Sequence, residues 1–461
     1  MIAIDLELEP SRLSSKIEAF WKLSASKILS LDRDAASVKG VPVFTVQGKY
    51  SSQTWTDWTQ GFELGSWILQ FDATDDSEFL DLGRKKILDR MATHLTNMGV
   101  HDHGFNNVST YGNLMRLQLE GRIGESTWEL RFYQLALKCS AAVQARRWSP
   151  VREGGYIYSF NGPHSLFVDT IRSLRSLALG YRLGHSLMEE NGTSISLLER
   201  LLTHARTTAV FNVYYGEGRD IFDVPGRVAH ESIFNLIDGS YRCPSSQQGF
   251  SPFTTWTRGL AWIMCGYAEL LEFLDTIDPE ILESGWESNR ECMLRAAKVS
   301  CDYYIENTPS DGIPYWDTGA PSLHKLGDYL NQPAQPANDW EPVDSSAAAI
   351  ATQGLLRLGH YLKEQGESED GGHYWQAGLT VLDTLLSEPY LSLDPNHHGL
   401  ILHSIYHRPR EWDLHREGER IPSGESSMWG DYHAREAVLY VQRLARKQAY
   451  LTFWGGSATV S

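Results

Sequence analysis

Apolar residues recur every three to four positions along most of this 461-residue chain, and the strict alternation of a half-buried strand is scarce. The period predicts helices near residues 11–31, 57–72, 77–97, 105–119, 123–146, 164–184, 192–213, 253–274, 288–307, 344–364, 368–386 and 429–448. Short strands are expected at 41–46, and long loops near 214–251, 308–343 and 388–428. The second, eighth and tenth segments hold small residues close together: Gly61 and Gly65; Gly259, Ala261 and Gly266; Ala347, Ala348, Ala349 and Gly354. Segments such as 191–213 and 288–307 have broader charged faces. Small residues let helix backbones approach, so the even segments suit an inner ring and the odd ones an outer ring. The expected fold is all-α, an (α/α)6 barrel, with residues 1–461 as a single catalytic domain. An open solenoid would repeat at a fixed period, and none is visible.

In such a toroid successive inner helices run parallel, so all six inner N-termini face one end. Each is preceded or opened by an unusual cluster: Trp55 to Trp58, His101 to Phe105, His164 to Asp169, Thr254 to Arg258, Asp344 to Ser346, and Trp429 to Tyr432. Any one of these reads plainly as capping, Asp344-Ser345-Ser346 above all. Six at one end make a funnel, whose unpaired amides and helix dipoles favour an anion.

Composition narrows the partners. The formal net charge of −17 argues against a nucleic-acid-binding surface and against anionic membranes, but leaves room for a small anionic substrate at a local cationic site. No apolar stretch is long enough to span a bilayer. The cysteines at 139, 243, 265, 292 and 301 are odd in number and lack metal-motif spacing; they read as reduced thiols. With an acidic, signal-free start this points to a cytoplasmic protein, or a processed periplasmic form, as a monomer or small homo-oligomer.

The candidate chemistry rests on Asp102 and Asp169, each at the start of an inner helix with an outward-going helix pair between them. Asp is costly to bury unpaired, and Asp169 follows Leu166, Phe167 and Val168. Two carboxylates in one pocket suit sugar chemistry, where paired acids share proton transfer; the plainer reading is two caps or salt-bridge partners. Trp58, Trp256, Trp262, Trp316 and Trp429 offer stacking faces for sugar rings, or ordinary core. Arg258 suits a substrate carboxylate, an orienting role on Asp102, or an internal salt bridge. His101, His103 and His230 lack metal-ligand spacing, and His407 has no evident base or nucleophile partner. Neither a metal nor a cofactor is expected.

These residues, in order, resemble the unsaturated glucuronyl hydrolases, glycoside hydrolase family 88, from about Trp58 to Glu436. The marks are Trp58-Thr-Gln-Gly-Phe62 with Gly65 and Trp67, His101-Asp102-His103-Gly104-Phe105, the segment around Asp169, Gly239-Ser-Tyr241 and Gln248-Gly249. The later ones are Trp256-Thr-Arg-Gly-Leu-Ala-Trp262, Asp311 to Asp317, Asp344 to Ile350, Tyr406-His407 and Trp429-Gly-Asp-Tyr432. The resemblance implies an (α/α)6 barrel that removes a 4,5-unsaturated uronic acid from the non-reducing end of lyase-generated oligosaccharides. It implies Asp169 as proton donor and general base, and Asp102 as the residue that holds the sugar and tunes the site. His230, Gln248, Arg258 and Trp262 match the family's pocket residues, His230 in a less similar loop; Trp58, His103, Trp256 and Trp429 complete the expected binding set. Asp102 is expected to keep Asp169 protonated by like-charge repulsion, with desolvation adding.

The pattern departs from the family in longer loops before Asp169 and at 318–343. It departs also in an insert at 408–424 with Arg408, Arg410, Glu411, Asp413, His415, Arg416 and Arg420, where a different aglycone is expected to be read. The alternatives are a chain like the unsaturated rhamnogalacturonyl hydrolases, another toroid glycosidase or epimerase, and a non-catalytic carbohydrate-binding toroid. An inverting glycosidase needs carboxylates about 6.5–9.5 Å apart, an epimerase histidine bases, and a binding protein has no need of Asp169.

Overall fold

The computed structural model describes residues 1–34, 40–52, 57–278, 286–415 and 418–454. Among the described residues twelve helical segments wind the barrel. The outer ones are α1 (Ser14–Asp34), α3 (Ser77–Arg90), α5 (Thr127–Arg146), α7 (Leu197–Phe211), α9 (Trp286–Asn307) and α11 (Ser368–Leu385). The inner ones are α2 (Gln60–Thr74), α4 (Gly104–Gly112 running into Asn113–Leu119), α6 (Thr170–Ser173 and Arg175–Arg182), α8 (Thr257–Leu274), α10 (Ser345–Glu364) and α12 (Met428–Ala445).

Each inner helix packs on the next, and α12 packs back on α2, so the ring is closed. Every residue of α8 is buried, whereas α5 buries only one face. The small residues sit where inner helices touch. A Cβ at Gly61 would lie 2.3 Å from the backbone of Asn106, one at Gly266 2.9 Å from the backbone nitrogen of Arg172, and one at Gly354 2.8 Å from that of Cys265.

Below the funnel the barrel axis holds a buried ionic cluster. Arg172 pairs with Glu269 at 2.6 Å and with Glu436 at 2.9 Å, and Arg357 with Glu272 at 2.8 Å. Glu436 is held far below the usual carboxylate range, because the nearby arginines outweigh its burial.

Local structure departs from the simple period in three places. The segment predicted at 77–97 breaks after Arg90, and a short turn of helix follows at Ala92–Leu95. Residues Gly104–Gly112 wind as a π-helix, a rare form that is frequent at functional sites. The segment predicted at 164–184 is helical only from Thr170, because Ser165–Phe167 is a strand.

The strands form small sheets around the helices: β1 (Pro42–Val46) with β2 (Lys49–Ser52), β3 (Trp148–Val151) with β4 (Gly154–Ile157), and β6 (Ser186–Met188) with β7 (Ser194–Ser196). A three-stranded antiparallel sheet joins β5 (Ser165–Phe167), β8 (Glu231–Phe234) and β9 (Tyr241–Ser245). Of the predicted funnel clusters, Trp55 and Thr56 lie outside the described residues.

Candidate active site

A cavity of about 310 Å³ opens at the N-terminal end of the inner ring. Asp102, Asp169, Trp58, Gln248, Trp256, Arg258 and Trp262 all line it. Burial dominates the electrostatics of both acids. It pushes Asp102 up to about 7, against the opposing charge of Arg147. It pushes Asp169 up to about 6, where His101 opposes and the like charge of Asp102 adds. Desolvation thus leads and the repulsion expected from Asp102 is secondary.

His230 comes to Asp169 through the sheet. In the β5–β8 pairing Phe167 faces Glu231, and the N–H of Val168 donates to the carbonyl of His230. The backbone N–H groups of Gln247 and Gln248 donate to Nδ1 of His230, at 3.0 and 3.3 Å. Nδ1 is therefore an acceptor, and the neutral ring carries its proton on Nε2. Burial holds His230 well below its ordinary pKa, so it stays neutral. Nε2 lies 3.7 Å from Oδ1 of Asp169, beyond hydrogen-bond length, and neither atom has another hydrogen-bond partner among the described residues. His101 lies at a similar distance from Asp102, its Nε2 3.6 Å from Oδ1, but neither of its ring nitrogens has a hydrogen-bond partner among the described residues; burial lowers its pKa to about 4.

Arg258 faces the cavity as a strut. Its terminal N–H groups donate to Asp344 (2.8 Å), the carbonyls of Ile405 and Tyr406, and Oε1 of Gln248 (3.2 Å). The internal salt bridge is thus present, and a substrate carboxylate would have to share Arg258 with these acceptors. Asp344 is also the cap of α10, accepting from the N–H of Ser346. With Oε1 engaged by Arg258, the amide of Gln248 has its NH2 left to offer.

Trp429 and His103 lie behind the wall. Trp429 is fully buried; it stacks on Trp58 with ring centroids 5.1 Å apart and donates from Nε1 to Ser346. His103 bonds Oγ of Ser140 (3.0 Å) and the carbonyl of Asn97 (2.9 Å), and does not line the cavity. On a helical turn neighbours point about 100° apart, so with Asp102 in the cavity His103 faces α5. Trp316 is a core residue that donates to Glu341.

Sequence reasoning left out His101, Phe105, Phe160, Gln247, Tyr406, His407 and Trp412, which also line the cavity. His101 and Phe105, in the motif around Asp102, and Tyr406-His407 carried a local signal; Phe160, Gln247 and Trp412 did not. A second cavity of about 260 Å³, behind β1–β2, contains none of the candidate residues; its Lys27, Asp431 and Arg435 are engaged in internal hydrogen bonds. Among the described residues no group of three or more His, Cys, Asp or Glu is placed to hold a metal ion, and no helix is long and apolar enough to cross a membrane.

No family model matches the chain. Individual proteins do. An unsaturated glucuronyl hydrolase of Formosa agariphila is 24% identical over 396 residues, covering 85% of this chain and 81% of its own. An unsaturated chondroitin disaccharide hydrolase of Streptococcus agalactiae is 21% identical over 435 residues, 93% of this chain and 92% of its own. The crystal structure of the unsaturated glucuronyl hydrolase of Bacillus sp. GL1 superposes with a TM-score of 0.68 at 21% identity, covering 95% of this chain and all of that one. The fold shared with that structure is the (α/α)6 toroid. Along nearly its whole length the chain is similar to the unsaturated glucuronyl hydrolases and an unsaturated chondroitin disaccharide hydrolase.

Proposed function

We propose that the protein hydrolyses 4,5-unsaturated uronic acids from the non-reducing ends of oligosaccharides, with Asp169 as the proton-transferring group. The observation that carries this is the meeting of Asp102 and Asp169 in one cavity, both raised by burial into the range where a carboxyl can hold a proton near neutral pH. The named activities of the relatives point to the same substrate class.

The C4=C5 bond of such a sugar is an enol ether through the ring oxygen. Asp169 gives its proton to C4, and positive charge develops at C5 and the ring oxygen. Asp169, now a carboxylate, takes a proton from water as the water oxygen bonds to C5. Water has then added across the double bond, and Asp169 ends protonated as it began. The product is a hemiketal that opens and expels the aglycone. An arriving uronate adds a negative charge beside the pair and raises both acids further, so Asp169 is protonated in the complex. His230, its proton fixed on Nε2, steadies the Asp169 carboxylate or the attacking water. The NH2 of Gln248, oriented by Arg258, meets the uronate carboxylate.

Asp169→Asn keeps the shape and cannot cycle a proton, so kcat is expected to fall at least about 10²–10⁴-fold, with folding intact. Turnover is followed by the loss of the conjugated acid's ultraviolet absorbance. In heavy water the wild-type product should carry deuterium at C4, and labelled solvent oxygen should appear at C5. Label at the anomeric carbon would mean ordinary glycoside hydrolysis, and near-normal turnover by Asp169→Asn would remove that residue from the mechanism.

A further inference from the structure

The loop leading into α12 supplies an aromatic ring to the cavity wall. Trp412 lines the cavity with Val100 and Phe160. Its ring lies 5.2 Å from that of Tyr406 and 4.9 Å from that of His407, and the guanidinium of Arg410 sits 5.2 Å from its centroid. The segment is built to stay put. Arg408–Arg410 form a 3-10 turn, and the N–H groups of Arg410 and Trp412 donate to the carbonyl of His407. Glu411 adopts a left-handed φ of 54°, costly for a residue with a side chain. Asp413 is only 5% exposed, and its two carboxylate oxygens accept from the consecutive N–H groups of Tyr406 and His407. A buried carboxylate devoted to two backbone donors fixes both ends of the turn. His407 is 4% exposed and lines the cavity, and neither ring nitrogen has a hydrogen-bond partner among the described residues.

We propose that Trp412, held in place by Asp413, is the stacking platform for the sugar on the reducing side of the scissile bond, with His407 beside it meeting that sugar's hydroxyl groups. The two acids stand at the starts of α4 and α6, whereas Trp412 comes from the far side of the ring, at the entry to α12. A pyranose presents a C–H face that matches an aromatic ring. A neutral imidazole is both donor and acceptor, which suits hydroxyls. This inference deepens the hydrolase reading and rests on it. Arg416, in the same insert, lies outside the described residues.

The test compares Trp412→Ala on two unsaturated uronides, a disaccharide and the methyl glycoside, which lacks the second ring. For the disaccharide, KM is expected to rise about threefold to tenfold, with kcat changed by less than about twofold. The methyl glycoside should show neither change, and Trp412→Phe should recover most of the disaccharide's KM. Asp413→Asn should copy Trp412→Ala in direction, because each N–H donates to a different carboxylate oxygen and the amide puts an NH2 donor against one of them. Melting temperatures establish that the variants fold. No change on the disaccharide, or an equal change on both substrates, overturns the platform. So does a loss confined to sulfated disaccharides, which would make this rim a reader of charge. Wild-type turnover of the methyl glycoside, abolished in Asp169→Asn, tests the hydrolase reading separately, so a flat response in Trp412→Ala sinks the platform alone.

Discussion

Burial of Asp102 and Asp169 ties the chemistry of the site to its stability. The folded pKa of Asp102, about 7, lies above the unfolded value near 3.9. Between those values the folded protein keeps a proton that the unfolded chain releases. The stability this contributes is complete below pH 4 and is lost as pH climbs through 7. Asp102→Asn is neutral at every pH. It is therefore expected to melt a few degrees above wild type at pH 8 and level with it at pH 4, by thermal denaturation at both. An identical offset at the two pH values would show that ionisation of Asp102 is not what costs stability. The acids themselves were legible in the sequence as candidates, Asp169 after the apolar run Leu166-Phe167-Val168 and Asp102 between two histidines, each expected at an inner-helix start. The orientation of His103 was not, because a one-residue step along a helical turn decides whether a side chain meets the cavity or α5.

At the scale of elements, the junction of α4 and α6 positions the acid pair. A Cβ on Gly104 would lie 2.3 Å from the carbonyl oxygen of Ser173, so the two helices can touch there only without a side chain. Gly104 is also two residues from Asp102, and its N–H donates to Oγ of Ser173. Alanine is the better helix former in isolation. Gly104→Ala is nevertheless expected to destabilise the protein by about 1–3 kcal/mol through overpacking and to lower kcat by spreading the carboxyls. Melting and turnover measured on one preparation check this. A lower melting temperature with unchanged kcat would mean that the α4–α6 spacing does not set the site. The small-residue groups readable as a pattern lie on α2, α8 and α10; Gly104 stood out only as part of the His101–Phe105 motif, and its contact with Ser173 was not readable. The strand Ser165–Phe167 was not readable either, because its partner Glu231–Phe234 lies more than sixty residues on, and an apolar run before a helix looks like its first turn.

For the whole molecule, closure of the inner ring puts α6, α8, α10 and α12 around one buried ionic cluster. Arg172 serves two carboxylates there, Glu269 and Glu436. Arg172→Leu would leave them in an apolar interior with less positive charge, and breaking a buried pair in this way typically costs about 3–5 kcal/mol. Denaturant unfolding should show that loss. We further propose that the chain unfolds in a single transition, in wild type and variant alike, because the cluster and the closed ring couple the hairpins. Two separated transitions would instead divide the chain into independent units.

The sequence by itself determined the helical period, the alternation of inner and outer segments, the acids at the funnel and the aromatic surplus around them. Each of these is a local property, set by spacing of 3.6 residues or by a residue's own cost of burial. Tertiary structure alone decided that His230 stands 3.7 Å from Asp169, since this follows from the register of β5 on β8. It decided that Arg258 is held by Asp344 and two carbonyls from the 405–406 loop, and that Trp412 reaches the cavity from across the ring. The paired residues stand 61 to 148 positions apart, brought together by strand pairing and ring closure, and no local pattern of apolar and polar residues encodes such a distance.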